Sequence, residues 1–198
     1  MEENFRMIAK CFFGFEEILE KELRDLGAQD VEKGVRMVSF KGDKGFMYKA
    51  NLSLRTALKV LKPIYSFRAN NEQALYKGIS GVNWSKLLNA NQTFVIDATV
   101  HSTYFNHSEF VSQKCKDAIV DQFRERTGQR PSIDKAFPDL RINVHIDKDQ
   151  VSVALDTSGN SLHQRGYRTA TNIAPINEVL AAGILLLSGW EGQSHFLD

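Results

Sequence analysis

Apolar and polar positions follow two distinct periods along this chain. The opening FRMIAKCFF reads as a strand. In GFEEILEKELRDLGA the apolar residues Phe15, Ile18, Leu19, Leu23 and Leu26 recur at steps of three and four, the period of one helix face. Glu17/Lys21, Glu20/Arg24 and Lys21/Asp25 stand four apart and support that helix. Gly27 supplies its stop. VRMVSF alternates as a strand, DKGFMYKAN has room for two helical turns, and LRTALKVLKPIYSF is rich enough in β-branched residues to give another strand. With a short strand at AQDVEK the order is β-α-β-β-α-β, the split βαβ of a ferredoxin-like unit, over residues 1–68.

RANNEQ is a polar joint. Beyond it, NEQALYKGISGVNWSKLL reads as two short helices, interrupted by Gly78 and Gly81. TFVIDATVHST alternates as a strand with Phe94, Ile96, Ala98 and Val100 on one face. NHSEFVSQKCKDAIVDQFRERTG carries a helix-start signature, Asn106 three residues before Glu109 as in a capping box. Its apolar stripe is Val111, Cys115, Ala118, Ile119 and Phe123, with Gly128 and Pro131 ending the helix. LRINVHI and QVSVALD are alternating strands joined by DKDQ, a hairpin composition. A second α/β unit therefore occupies about residues 70–160.

The pattern changes after this hairpin. From Thr157 to Asn177 the chain has two arginines, Arg165 and Arg168, and no acid, with Tyr167 between them and Gly166 where the backbone can bend. Guanidinium groups pair with phosphate bidentately and tyrosine offers a stacking face. The alternative is a linker whose arginines are solvated or paired elsewhere. Pro175 fits the first turn of a following helix. Its residues Ile176, Val179, Leu180, Ala182 and Ile184 to Leu187 cover more than the stripe of a surface helix. EGQSHFLD is too short to cover such a helix, and HFLD looks like a strand just beginning. These features lead us to expect a piece of a longer protein.

Composition narrows the function classes. The 198 residues are 42% hydrophobic and 25% charged with a formal charge of +1, so a nucleic-acid site must be local. Cys11 and Cys115 lie far apart in sequence and read as free buried thiols of a reducing cytosol. The five histidines lack metal-ligand spacing, so no metal is expected. The longest apolar run, Val179 to Leu187, is about half the roughly 20 residues of a membrane span.

HQRGYR, then APINEVLAAGILLLSGW and FLD, resemble the junction of the bacterial ribosomal-RNA guanine-N2 methyltransferase family whose members carry a THUMP domain. GFEEILEKEL and ANLSLRTALKVL are similar to that family's ferredoxin-like domain, and the segment around NHSEFVSQKCKDAIVDQFRE to its THUMP helix. The local order TYFNHS departs from the family's FYNHS. The resemblance implies an α+β chain with a ferredoxin-like domain at 1–68 and a THUMP domain at 69–162. A linker and the start of a Rossmann-like methyltransferase domain, the motif X helix and first strand, would occupy 163–198. The intact protein would transfer a methyl group from S-adenosylmethionine to N2 of a guanine in large-subunit ribosomal RNA, in the cytoplasm.

Catalytic residues would lie in the methyltransferase domain beyond these residues, and none is assigned here. In motif X, Pro175 and Glu178 would sit near the methionine end of the cofactor, with Asp198 leading into the family's glycine turn. That turn is not among these residues, so no cofactor binding and no activity are expected from this stretch alone. The candidate RNA-binding residues are Lys114, Lys116, Arg124 and Arg126 on the long helix, extended by Arg165, Tyr167 and Arg168. Asp117, Asp121 and Glu125 share that helix, so a solvated face stays open as the alternative. Arg55 either reaches RNA or pairs with a neighbouring acid, while Trp84 and Tyr76 are expected in packing between the two units. A stand-alone RNA-binding adaptor and the RNA-binding part of a transfer-RNA thiolation enzyme are the competing functions.

Overall fold

A computed structural model of the chain describes residues 3–166, 168, 174–190, 192 and 194–195. They form two compact units, one made of the residues up to Lys62 with those from Thr157 on, the other of Pro63–Asp156. The first break falls inside a strand, the second just after one. Thr157 to Leu162, given above to the second domain, thus belongs with the first unit.

The first unit runs β1 (Phe5–Lys10), α1 (Glu16–Leu26), β2 (Gln29–Gly34), β3 (Met37–Gly42), α2 (Lys44–Ser53) and β4 (Lys59–Arg68), the order its pattern predicts. Its strands lie in the order β2-β3-β1-β4. β1 pairs antiparallel with β3 from Phe5↔Gly42 to Lys10↔Met37, and with β4 through Ile8↔Leu61 and Lys10↔Lys59. Alternate residues Met7, Ala9, Val38, Phe40 and Val60 share a buried core with Leu19 and Leu23 of α1 and Ala50 of α2. The Asp43 side chain accepts the Phe46 amide at 2.7 Å and opens α2.

The second unit comprises α3 (Glu72–Ser80), a 3-10 turn at Trp84–Lys86, β5 (Thr93–His101), α4 (Ser108–Thr127), β6 (Ser132–Ile133), β7 (Leu140–Asp147) and β8 (Gln150–Asp156). Its strand order is β8-β7-β5-β6. β5 is parallel to β7 from Phe94↔Leu140 to His101↔Asp147, and β7 turns back into antiparallel β8. Asp147 and Gln150 pair across the hairpin, so the four-residue connection shrinks to Lys148 and Asp149. β6 is parallel to β5 over two residues, too short to leave a periodic signal.

All five residues of the α4 stripe are buried, and Gly128 ends the helix at φ 69. The capping box does not form. α4 opens at Ser108 with His107 as N-cap, which places Glu109 one position too early to reach back. Trp84 is also placed differently from expectation, fully buried in the second unit's own core, with its indole N–H donating to the Ile79 carbonyl at 2.9 Å.

Gln122, on the buried side of α4, braces that core. Its Nε2 donates to the carbonyls of Ser80 at 2.9 Å and Val82 at 2.8 Å, and its Oε1 accepts the Trp84 amide at 2.9 Å. An apolar replacement would fill the volume but leave three backbone groups unpaired. Gln122→Leu is therefore expected to destabilise the protein by about 2–3 kcal/mol in urea denaturation. An unchanged midpoint would show that water replaces the brace.

Candidate functional site

The candidate cations of the second unit lie on α4, and each has a partner. Lys114 pairs with Glu72 of α3, whose carboxylate raises the ammonium above the usual lysine range. Lys116 lies 3.0 Å from Asp117, and Arg124 lies 3.5 Å from Asp121. Asp121 also accepts the Tyr76 hydroxyl at 2.9 Å. Arg126 differs from the other three in that it bonds neutral groups, Asn83 Oδ1 at 2.9 Å and Ser85 Oγ at 3.4 Å. Among the described residues no carboxylate bonds it.

In the first unit, Arg165 is a structural clasp. Its Nε donates to the Leu162 carbonyl at 3.0 Å, Nη1 to Leu52 at 2.6 Å and Nη2 to Leu54 at 2.5 Å. Leu52 and Leu54 sit at the end of α2, where helix carbonyls lack partners and the dipole is negative. Arg168 pairs with Glu178 at 3.3 Å and donates to the Ile176 carbonyl at 2.9 Å. The structure thus joins a residue read as RNA-binding to one read as cofactor-binding. Tyr167 and Asp198 lie outside the described residues. Arg55 pairs with Glu22 at 3.0 Å.

The segment carrying Arg165 is stitched to the first unit by residues that the sequence reading did not single out. Asn51 donates to Thr157 Oγ1 at 3.0 Å and accepts the Ser158 hydroxyl at 2.7 Å. Thr157 N donates to the Val60 carbonyl at 2.9 Å, while the Val60 amide donates to Ser158 Oγ at 2.8 Å. The Leu162 amide donates to Leu58 at 2.8 Å. The polar run TSGNS was the available signal, since such side chains commonly bond backbone groups.

Beside the end of α2 lies a cavity of about 580 Å³, lined by Tyr48, Asn51, Leu52, Ser53, Leu54, Arg55, Ser158, Leu162 and Arg165.

The apolar helix is α5 (Glu178–Leu187). It starts later than Pro175 suggests, because Asn177 caps it by accepting the amides of Val179 at 3.0 Å and Leu180 at 3.2 Å. Pro175 lies exposed ahead of this cap. Val179 and Gly183 are buried, and a Cβ on Gly183 would stand 2.1 Å from the Phe15 ring, so close packing on α1's entry requires glycine. Ile184 and Leu187 stay 49% and 61% exposed.

These groups can bind, cap and position. Among the described residues no three His, Cys, Asp or Glu side chains gather to hold a metal, and no helix is long and apolar enough to cross a membrane. Cys11 and Cys115 are free and buried, and burial pushes both thiols up to about 12.

Fold and site define a two-domain α+β module with binding groups. Residues 6–61 match the RlmL ferredoxin-like domain and residues 69–156 the THUMP domain, and the chain carries both. Over 190 residues it is 44% identical to the ribosomal RNA large subunit methyltransferase K/L of Syntrophotalea carbinolica, covering 96% of this chain and 27% of that protein. A possible methylase from Clostridium difficile 630 superposes with TM-score 0.82 at 31% identity, covering 95% of this chain and 50% of the other. SMU.472, a candidate methyltransferase solved with SAH, gives 0.79 at 31% identity over 96% and 50%. The chain spans about a quarter of the first relative's length and half of the other two. These matches bear out the ferredoxin-like and THUMP domains, and the likeness to a ribosomal RNA methyltransferase, read from the sequence.

Two substitutions test the clasp and the cap. Arg165→Ala leaves two α2 carbonyls and Leu162 without their donor, and is expected to lower stability by about 1–3 kcal/mol in chemical denaturation. Asn177→Ala should cost about 1 kcal/mol and fray α5, read as faster amide exchange at Val179 and Leu180. Wild-type values for either variant would contradict the assigned role.

Proposed function

We propose that these two domains present large-subunit ribosomal RNA to an S-adenosylmethionine-dependent methyltransferase domain, in the cytoplasm, and that the methyl group goes to N2 of a guanine. The observation that carries this reading is the 44% identity across 96% of the chain to a protein named as a ribosomal RNA large subunit methyltransferase. The TM-score of 0.79 to a candidate methyltransferase solved with SAH supports the cofactor. Domain limits near 1–68 and 163–198 belong to the same proposal, with the second domain, first placed at 69–162, closing near residue 156.

In this reading the RNA meets Lys114, Lys116, Arg124 and Arg126 on the second unit and Arg165, Tyr167 and Arg168 on the first. Their weights differ. The first three have carboxylates beside them that reduce the local potential, whereas Arg126 bonds neutral groups and offers phosphate its full charge. Arg165 acts mainly by holding the segment in place.

S-adenosylmethionine would supply the methyl group, and the residues near α5 fit its amino-acid end. Glu178 offers a carboxylate to its ammonium, and Arg168, paired to Glu178, offers a guanidinium to its carboxylate. Pro175 would border this site, and Asp198 would lead to the glycine turn of the family. These 198 residues lack that turn, so calorimetry on them is expected to show no tight S-adenosylmethionine binding, and no methyl transfer. Tight binding would contradict the assignment.

RNA binding itself is tested by fluorescence anisotropy on large-subunit ribosomal RNA hairpins. With about three effective cations on single-stranded phosphates, the salt exponent is about 2 and affinity falls about tenfold from 50 to 200 mM salt. Arg126→Ala should lower that exponent by about 0.7, whereas Lys116→Ala should change it less. Absence of binding at 50 mM salt would refute the RNA-presenting role. For guanine N2, mass spectrometry of ribosomal RNA from cells lacking the gene should show loss of one N2-methylguanosine.

A further inference from the structure

Of the side chains lining the cavity at the end of α2, Arg165 alone belongs to the RNA contact proposed above. We propose that the cavity holds one unpaired nucleotide of the RNA, its base against the Tyr48 ring and its phosphate on Arg55. This inference rests on the RNA-presenting role of the two domains and adds a site on the first unit.

Three observations meet there. Tyr48 and Leu52 stand four residues apart on α2, so they share one face of the helix, and they are 61% and 78% exposed. Both line the cavity, whose floor includes buried Leu54 and Leu162. The site therefore combines an aromatic ring with apolar side chains, and a ring of this kind is a surface on which a base of any identity stacks.

The charges at the cavity favour a phosphate. Its lining includes Arg55 and Arg165 and no carboxylate. Arg55 bonds Glu22 through Nε at 3.0 Å, which offsets part of its charge, while no hydrogen bond engages its Nη groups among the described residues, so they can meet a phosphate. Glu22 is 10% exposed and is occupied by the amides of Arg55 and Thr56 and the Thr56 hydroxyl. The C-terminal end of α2 would by itself repel an anion. Arg165, bonded to its last carbonyls, reverses that field. A volume of about 580 Å³ lies within the range of about 300–1,000 Å³ typical of small-ligand sites and has room for one nucleotide.

The test uses the whole 198-residue chain and a single-stranded hexanucleotide carrying 2-aminopurine, whose fluorescence falls on stacking. Wild type is expected to bind and quench. Tyr48→Ala should weaken binding by about tenfold or more and abolish the quenching, while Tyr48→Phe stays within about twofold because the ring remains. Arg55→Ala should reduce the salt exponent by about 0.7. Leu52→Glu sets a carboxylate at the exposed rim and should weaken binding without touching the core. If Tyr48→Ala and Leu52→Glu bind and quench like wild type, the inference is overturned. Guanosine monophosphate binding as tightly as the hexanucleotide would overturn it too, by making the cavity a site for free nucleotides. If wild type binds the ribosomal RNA hairpins but not the hexanucleotide, this inference fails and the RNA-presenting role survives. If it binds neither, both fall.

Discussion

The first unit depends on the chain's return to it. Leu58, just ahead of β4, and Val60 within it present backbone groups beside the sheet, and unpaired polar groups there would be costly. Residues nearly a hundred positions later satisfy them: Thr157 and Ser158 bond Val60, and the Leu162 amide bonds Leu58. Asn51 of α2 ties the same two side chains from the other direction. The THUMP unit is thus an insertion between two pieces of a single compact body. The segment from Thr157 to Arg165 is thereby fixed to the first unit.

That anchoring changes what the arginines of the tail do. Read alone, Arg165 and Arg168 are two free cations in an acid-poor strip. In place, the first closes the end of α2 and the second pairs with Glu178. Arg165, bonded to carbonyls, keeps its net charge, whereas Glu178 offsets that of Arg168. Arg165 converts the negative pole of a helix into a surface that tolerates an anion, a structural job with an electrostatic consequence.

On α4 the opposite holds. Lys114, Lys116 and Arg124 have carboxylate partners at or near the surface, and pairs of that kind contribute at most about 1 kcal/mol each. A phosphate can replace such a partner at little cost in stability, but the resident acid lowers the attraction. A neutral-bonded cation such as Arg126 carries more of the field than its place in a charge count suggests. This agrees with an overall charge of +1, which leaves any attraction for an anion to local groups.

Local periodicity was enough to read the order of the elements apart from β6. The α1 and α4 stripes, the alternation in β5, β7 and β8 and the glycine stops are nearest-neighbour properties, written every two or three to four residues. Start positions were less legible. Asn106 and Pro175 both suggested helix starts that the chain makes later, because several capping residues compete within two positions and packing chooses among them. The role of Gln122, the clasp of Arg165, the knot around Asn51 and the cavity under Tyr48 could not be read at all. Each joins residues about 40 to over 100 positions apart, and no sequence period encodes which distant carbonyl a side chain will meet. The sequence by itself determined most of the elements and the two domain types. Tertiary structure decided the partners, because hydrogen-bond and charge partners are set by proximity in space.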